Sequence, residues 1–210
     1  MFVSIEEKLK KIIPNTDQHD EFEYYKQILP KMIANGHAAH QTIPGYKNCK
    51  PEIEAFRWFD NINIPVHGYC DLKGKVIIED KCKFPKRGRV KKDGTRSWLT
   101  NKLPETVEPY HFLQIDFYYS VFKLPIYVCY INEESYKVFS ADNCDDLKPE
   151  NIEKRIPKII QRCKIRQNLM KLSTDPKVVK DYIQPQFDHY FWRNEMEEDY
   201  LTDAIKFYES

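Results

Sequence analysis

Asp71, Glu79 and Lys81 lie within one short stretch, His67-Gly-Tyr-Cys-Asp-Leu-Lys-Gly-Lys-Val-Ile-Ile-Glu-Asp-Lys-Cys-Lys. In an extended strand alternate side chains share a face, so Glu79 and Lys81 project together and the side chain of Asp80 points away. A tight turn at Lys73-Gly74 folds the preceding strand back. With twist and an offset register, Asp71 then comes beside Glu79. Two carboxylates and an ammonium group in one pocket suit phosphodiester hydrolysis. Asp71 and Glu79 are hard oxygen ligands for Mg²⁺ or Mn²⁺, and the backbone carbonyl of Asp80 can add another. Lys81 would orient the attacking water or stabilise the pentavalent transition state. An acid-x-Lys triplet alone is usually a solvated strand edge. Here Val76-Ile77-Ile78 leads straight into Glu79, and a buried strand that ends in charges is costly unless those charges share a metal or one another.

The elements that must position these residues are legible in outline. Ile5, Leu9, Ile12 and Ile13 recur at helical spacing until Pro14-Asn15. A second helix is expected from about Asp20, its N-cap, to Leu29. Pro30 fits the first turn of a third, carrying Met32, Ile33, Gly36 and His40. Then the period changes: strands are expected at Glu52 to Phe59, Ile62 to Cys70, and Val76 to Cys82. Phe84 to Leu103 reads as a loop or mobile excursion. A helix follows from about Glu108 to Phe122, then a strand pair, Ile126 to Ile131 and Tyr136 to Phe139. Lys148-Pro-Glu-Asn opens a long helix to about Leu172, with a kink expected at Pro157. From Asp175 onward the chain looks helical and rich in aromatics.

The 210 residues are 41% apolar and 14% aromatic, enough for a buried core, and a single domain over 1–210 is the expectation. The formal charge of +1 hides a segregation. Between Lys81 and Arg96 there are eight basic residues and one acid; between Gln186 and Ser210, seven acids and two basic residues. A basic surface of this kind suits a polyanion, although either run alone reads as a solvated face. The six cysteines (49, 70, 82, 129, 144 and 163) form no C-x-x-C pair, which argues against a structural zinc site or an iron–sulfur cluster. The N-terminus reaches acids too soon for a signal peptide, and no apolar run approaches the ~20 residues that cross a bilayer. The expectation is a soluble protein of the cytoplasm with no membrane partner.

Gly68-x-x-Asp71 followed by an apolar strand and Glu79-x-Lys81 resembles the PD-(D/E)XK nuclease superfamily. Gly36-His-Ala-Ala-His40 resembles the G-x-x-x-H motif, and Gln114-Ile-Asp-Phe-Tyr118 the Q-x-x-x-Y motif, of its RecB-like exonuclease branch. The motifs occur in the family's order and span about residues 30–131, leaving 148–210 as a helical C-terminal part. The resemblance implies an α/β, restriction-endonuclease-like core with a central mixed sheet flanked by helices. It implies catalytic roles for Asp71, Glu79, Lys81, Gln114 and Tyr118, and metal ligation by His40, Asp71, Glu79 and Asp80. It further implies a Mg²⁺- or Mn²⁺-dependent exonuclease acting on DNA ends; some members carry a cysteine-held iron–sulfur cluster, but Cys144 and Cys163 are too sparse for one, and none is expected here. In size it is comparable to the stand-alone enzymes that bacteriophages encode for recombination, replication or host-DNA breakdown, which would place it in the host cytoplasm. A structure-specific endonuclease of the same superfamily and an inactive DNA-binding module are the alternatives. A homo-oligomer is compatible with the resemblance, though no ring interface is visible.

The cations after the catalytic strand, Lys83, Lys86, Arg87, Arg89, Lys91, Lys92 and Arg96, are candidates to grip phosphates on either side of the cut. Trp98 or Phe84 could stack on an unpaired base, or equally anchor the loop by packing. Lys158, Arg162, Lys164 and Arg166 are a second candidate basic surface.

Overall fold

The computed structural model describes residues 19–183, 185, 187 and 198–209, apart from 93 and 95. The expected helix around Ile5 to Ile13 lies outside them. The fold is α/β, with a mixed five-stranded sheet and helices against it. In chain order the principal elements are α1 (His19–Gln41), β1 (Lys50–Arg57), β2 (Val66–Lys73), β3 (Ile77–Cys82), β4 (Lys86–Val90) and β5 (Arg96–Leu99). They continue with α2 (Phe112–Phe122), β6 (Ile126–Ile131), β7 (Tyr136–Phe139), α3 (Pro149–Leu172), α4 (Pro176–Val179) and α5 (Glu198–Glu209). The strand order is β1-β2-β3-β6-β7; β3 and β6 run parallel and every other neighbouring pair is antiparallel.

These residues group into two compact units. One holds the chain up to Arg57 together with Val66–Ile159; the other holds Trp58–Pro65 and the residues from Ile160 on. In the second unit the buried Gln167 side chain accepts from the Asn63 amide (2.6 Å) and donates to the Asn61 carbonyl (3.3 Å), tying the 58–65 segment to α3.

In the first unit, period-two alternation decides what each face of the sheet meets. Ile78, Cys129 and Ile131 pack with Ile28, Met32, Ala39 and Ile43 of α1 and the turn after it. The neighbouring Ile77, Glu79, Val128 and Tyr130 are also buried, on the opposite side of β3 and β6. Helix α2 packs beside β1. It is tied to the start of α3 by Arg155, whose Nε and Nη2 reach the two carboxylate oxygens of Asp116 at 2.9 and 2.7 Å. Asp116 is 1% exposed, so this forked pair satisfies a carboxylate that burial would otherwise leave stranded.

The structure corrects three expectations. Helix α1 is continuous through Pro30, with no break there. Pro30 is exposed, so the backbone hydrogen bond it removes is lost on the wet side of the helix, while Ile28 and Met32 hold the buried side. The strand expected from Ile62 starts only at Val66. The stretch read as a loop contains the two-stranded sheet β4–β5, and Trp98 of β5 stacks on Tyr24 of α1 with ring centroids 4.3 Å apart and planes 5° from parallel. The aromatic anchor gives order to a segment whose Pro, Gly and cations conceal its alternation. The β6–β7 pair falls where its residues placed it, and α3 is helical on both sides of Pro157. Among the described residues no helix is long and apolar enough to cross a membrane.

Replacing Arg155 with Ala would leave the Asp116 carboxylate buried without its partner. The expected loss of stability is roughly 3 kcal/mol, read as a lower denaturant midpoint, with Arg155→Lys recovering only part because it cannot reproduce the two-pronged contact.

Candidate active site

Strands β2 and β3 are paired at Lys73↔Ile77 and Leu72↔Ile78, and the ladder stops there. The next residues outward are Asp71 and Glu79. Each supplies with its side chain the bond that the opposite backbone has lost. The Asp71 carboxylate accepts from the Asp80 amide at 2.8 Å, and the Glu79 carboxylate accepts from the Asp71 amide at 3.2 Å. The two strands therefore fork, and the two carboxylates converge in the fork. On β1 the residue facing this point is Glu52, which falls between the pairs Pro51↔Leu72 and Ile53↔Cys70 and has φ of 51°, a left-handed conformation within a strand.

Lys81 is two residues beyond Glu79 on the same face. Its ammonium donates to Glu79 at 3.0 Å and to the Gln114 side-chain carbonyl of α2 at 2.9 Å. The Gln114 amide donates to the Tyr118 hydroxyl (3.1 Å), which in turn donates to the Tyr69 carbonyl of β2 (2.6 Å). Glu79, Lys81, Gln114 and Tyr118 thus form one continuous chain from β3 through α2 and back to the strand that carries Asp71. Gly68 makes room for it: a Cβ there would sit 3.2 Å from the Tyr118 ring and 3.3 Å from its hydroxyl. Tyr118 is only 3% exposed, in keeping with a support for Gln114.

His40 lies on the other face. Its Nε2 is 2.8 and 3.0 Å from the two carboxylate oxygens of Asp80, whose side chain the strand alternation turns toward α1. Gly36, one turn before His40, allows α1 to approach the sheet; a Cβ there would be 3.3 Å from Ile131 Cδ1. Cys129, the ladder partner of Asp80, joins this group: donor atoms of His40, Asp80 and Cys129 all lie within 4.8 Å of one another.

No protein-family model and no curated protein matches the sequence. Among solved structures, the crystal structure of SSO0001 is similar at a TM-score of 0.37 and 16% sequence identity, covering 86% of this chain and 80% of that one. A likeness at this level carries no argument about function.

The electrostatics of the fork follow from its burial. Glu79 is fully buried, and desolvation pushes its carboxyl up to about 7 against the opposing pull of Lys81. Asp71 is exposed as a residue, but its carboxylate is recessed against β3. Desolvation raises it as well, opposed by the Asp80 amide and Lys81. In the fork, Asp71 and Glu79 set two carboxylates against the single ammonium of Lys81. A hard divalent cation answers that imbalance, and the carboxylates of Asp71 and Glu79 are the oxygen donors it takes. The donor set in the fork fits Mg²⁺ or Mn²⁺.

Two features near Lys81 and Lys83 escaped the sequence reading. His111 sits at the start of α2, three residues before Gln114. Burial first, then the charge of Lys81, pushes its ring down to about 4, so it is neutral at pH 7. The spacing His111-x-x-Gln114 was the available signal. Lys83, counted among the phosphate-gripping cations, is instead engaged by the Glu108 carboxylate and the Tyr110 hydroxyl. Desolvation lowers its ammonium, but Glu108 and Tyr110 outweigh that and raise it. Lys86, Arg89, Lys91 and Lys92 are exposed on and after β4; the side chains of Arg87 and Arg96 lie outside the described residues. Trp98 and Phe84 pack against Tyr24 and Tyr25, which agrees with their reading as anchors.

A carboxyl raised in the folded state binds more protons there than in the unfolded chain. Its contribution to stability therefore falls as pH rises from the ordinary glutamate range through about 7. In metal-free buffer the protein should melt at a lower temperature at pH 8 than at pH 5.5, Glu79→Gln should flatten that dependence, and millimolar Mn²⁺ should restore the pH 8 melting temperature of the wild type but not of Glu79→Gln. Thermal unfolding followed by circular dichroism measures all three.

Proposed function

We propose that this chain is a metal-dependent DNA nuclease that hydrolyses phosphodiester bonds at DNA ends, with a core of the PD-(D/E)XK type. The observation that carries the reading is the convergence of Asp71 and Glu79 in the β2–β3 fork, with the Lys81 ammonium held beside them. The order of motifs, the mixed sheet and the Gln114–Tyr118 link to Lys81 support the same reading.

Asp71 and Glu79, with the Asp80 carbonyl, are the residues that would hold the cation, and the resemblance adds His40, whose Nε2 stands 2.8 Å from the Asp80 carboxylate beside the fork. When bound, Mg²⁺ or Mn²⁺ supplies Lewis-acid charge for the phosphate and activates water at neutral pH. The chain's own groups do the rest. Ionised Glu79 and the Gln114 carbonyl fix Lys81 from two sides, so its ammonium is aimed without reorganisation at the negative charge that builds on the phosphate. Tyr118 keeps Gln114 in place, and Gly68 leaves the space in which Tyr118 does so. The neutral His111 adds no positive charge beside Lys81. The exposed cations of β4 and the turn after it, Lys86, Arg89, Lys91 and Lys92, offer a surface for the phosphate backbone next to the strand that carries the site. The DNA partner and the end-directed mode come from the resemblance and from this basic surface.

End-labelled linear duplex, its closed circular counterpart and Mg²⁺ or Mn²⁺ provide the test. The linear molecule should be degraded from its ends and the circle left intact; a nicked circle would make the enzyme an endonuclease, and binding without cleavage of either would reduce it to a DNA-binding module. Asp71→Ala and Lys81→Ala should each lower cleavage by at least about a hundredfold while retaining DNA binding.

Replacing Arg89, Lys91 and Lys92 together by Ala should weaken binding to all sequences alike. It should also flatten the dependence of log Kd on log salt concentration, by about 0.9 for each phosphate contact removed on duplex DNA. Fluorescence anisotropy across a salt series reads this out.

A further inference from the structure

Where the chain leaves β3, several donors converge on one carboxylate oxygen of the protein itself. We propose, resting on the nuclease reading for the ligand, that Lys83 and Tyr110 form a subsite for a DNA backbone phosphate next to the one that is cut, and that Glu108 occupies this subsite until DNA displaces it.

The position of Lys83 follows from the sheet. Its amide donates to the Ile131 carbonyl at 2.7 Å, so the pairing of β3 with β6 continues past Cys82. Alternation then sets Lys83 on the face of Glu79 and Lys81. Two residues of strand span about 6.6 Å, so Lys83 follows Lys81 at close to the step between neighbouring phosphates of an extended nucleic-acid strand. One oxygen of Glu108 collects the donors. The Lys83 ammonium pairs with it, the Tyr110 hydroxyl donates to it at 2.5 Å, and His111 Nε2 is 3.7 Å away. Lys83 also donates to the Tyr110 hydroxyl at 2.8 Å, which links the two donors to each other. The Glu108 amide is held by the Tyr130 hydroxyl at 2.9 Å, while its side chain is 26% exposed. Rotation of that side chain into water vacates the place without moving the backbone.

The donor types choose the ligand. A carboxylate and a phosphodiester each present two terminal oxygens that share one negative charge, and an ammonium with a hydroxyl beside it serves either. The exchange is one anion for another: phosphate oxygens take the Lys83 and Tyr110 donors, the Glu108 carboxylate passes to solvent, and no covalent bond changes. An isolated phosphate must break the ion pair to enter and gains little by it. DNA already held by the fork and by the cations of β4 presents its next phosphate at high local concentration, which drives the exchange. Glu108 thereby favours ligands that make several contacts at once.

The test is a series of duplexes in which one phosphate at a time is replaced by a neutral methylphosphonate. Affinity is read by fluorescence anisotropy in metal-free buffer, so that nothing is cut. At one position the replacement should weaken wild-type binding several-fold. Lys83→Gln should bind unmodified DNA more weakly and be indifferent to that position alone. Glu108→Gln should bind unmodified DNA about two- to fivefold more tightly, because a part-exposed ion pair no longer has to be broken, and should lose this gain on the duplex neutral at that position. Circular dichroism checks each fold, and Tyr110→Phe, which keeps the ring and should lose part of the same positional effect, serves if Lys83→Gln does not fold. A Lys83→Gln protein that responds to every position as the wild type does, a Glu108→Gln protein that binds no tighter, a gain that persists in full at the neutral position, or no DNA binding by either the wild type or Glu108→Gln would each overturn the proposal. Cleavage of unmodified linear duplex with Mn²⁺ is scored separately. A protein that passes the scan but cuts nothing refutes the nuclease reading alone, and one that cuts but fails the scan refutes only the subsite.

Discussion

A strand pair that separates must find new partners for the amides it exposes, and the site depends on how this protein meets that demand. Beyond Leu72↔Ile78, the ladder between β2 and β3 gives way to two side-chain bonds, Asp71 to the Asp80 amide and Glu79 to the Asp71 amide. Backbone groups left unpaired in a half-buried place would be costly. Carboxylates one residue past the last pair satisfy them, and this also fixes where the carboxylates point. The bonds that allow the sheet to open are the bonds that aim the site.

The same arrangement concentrates negative charge where water is scarce. Glu79 is fully buried, and Lys81 alone does not offset it together with Asp71. Two recessed charges elsewhere are matched within the molecule, Asp116 by Arg155 and Lys83 by Glu108. The fork, by contrast, leaves two carboxylates to one ammonium, an imbalance that a bound cation would answer. The Lys81–Gln114–Tyr118–Tyr69 chain shows what α2 does for the fork: it holds an ammonium at a set position on a strand that has just lost its neighbour.

Much of this was legible in the residues. Strict alternation predicted that Glu79 and Lys81 would share a face and that Asp80 would turn away, and Val76-Ile77-Ile78 announced a buried strand. The spacing of Gln114 and Tyr118 put them on one side of a helix, whereas Gly68 was visible only as a motif position until the packing showed the Tyr118 ring against it. Other features were not legible because their causes are tertiary. Pro30 looked like a helix start because local propensity cannot see that Ile28 and Met32 are held by the sheet. The β4–β5 pair was hidden among cations and turn residues, its order supplied by the stacking of Trp98 on Tyr24, some seventy residues away in the chain. The turned-away side chain of Asp80 could not be matched with Cys129 without knowing that β3 and β6 run parallel in that register.

The most direct test of the central claim is a crystal structure of the protein grown with Mn²⁺, with the ion located by its anomalous scattering. The account predicts a Mn²⁺ ion in the β2–β3 fork at about 2.2 Å from oxygens of both Asp71 and Glu79, with the Lys81 ammonium still held by Gln114. A fork without bound ion at saturating Mn²⁺, its carboxylates engaged only by Lys81 and the backbone amides, would contradict it.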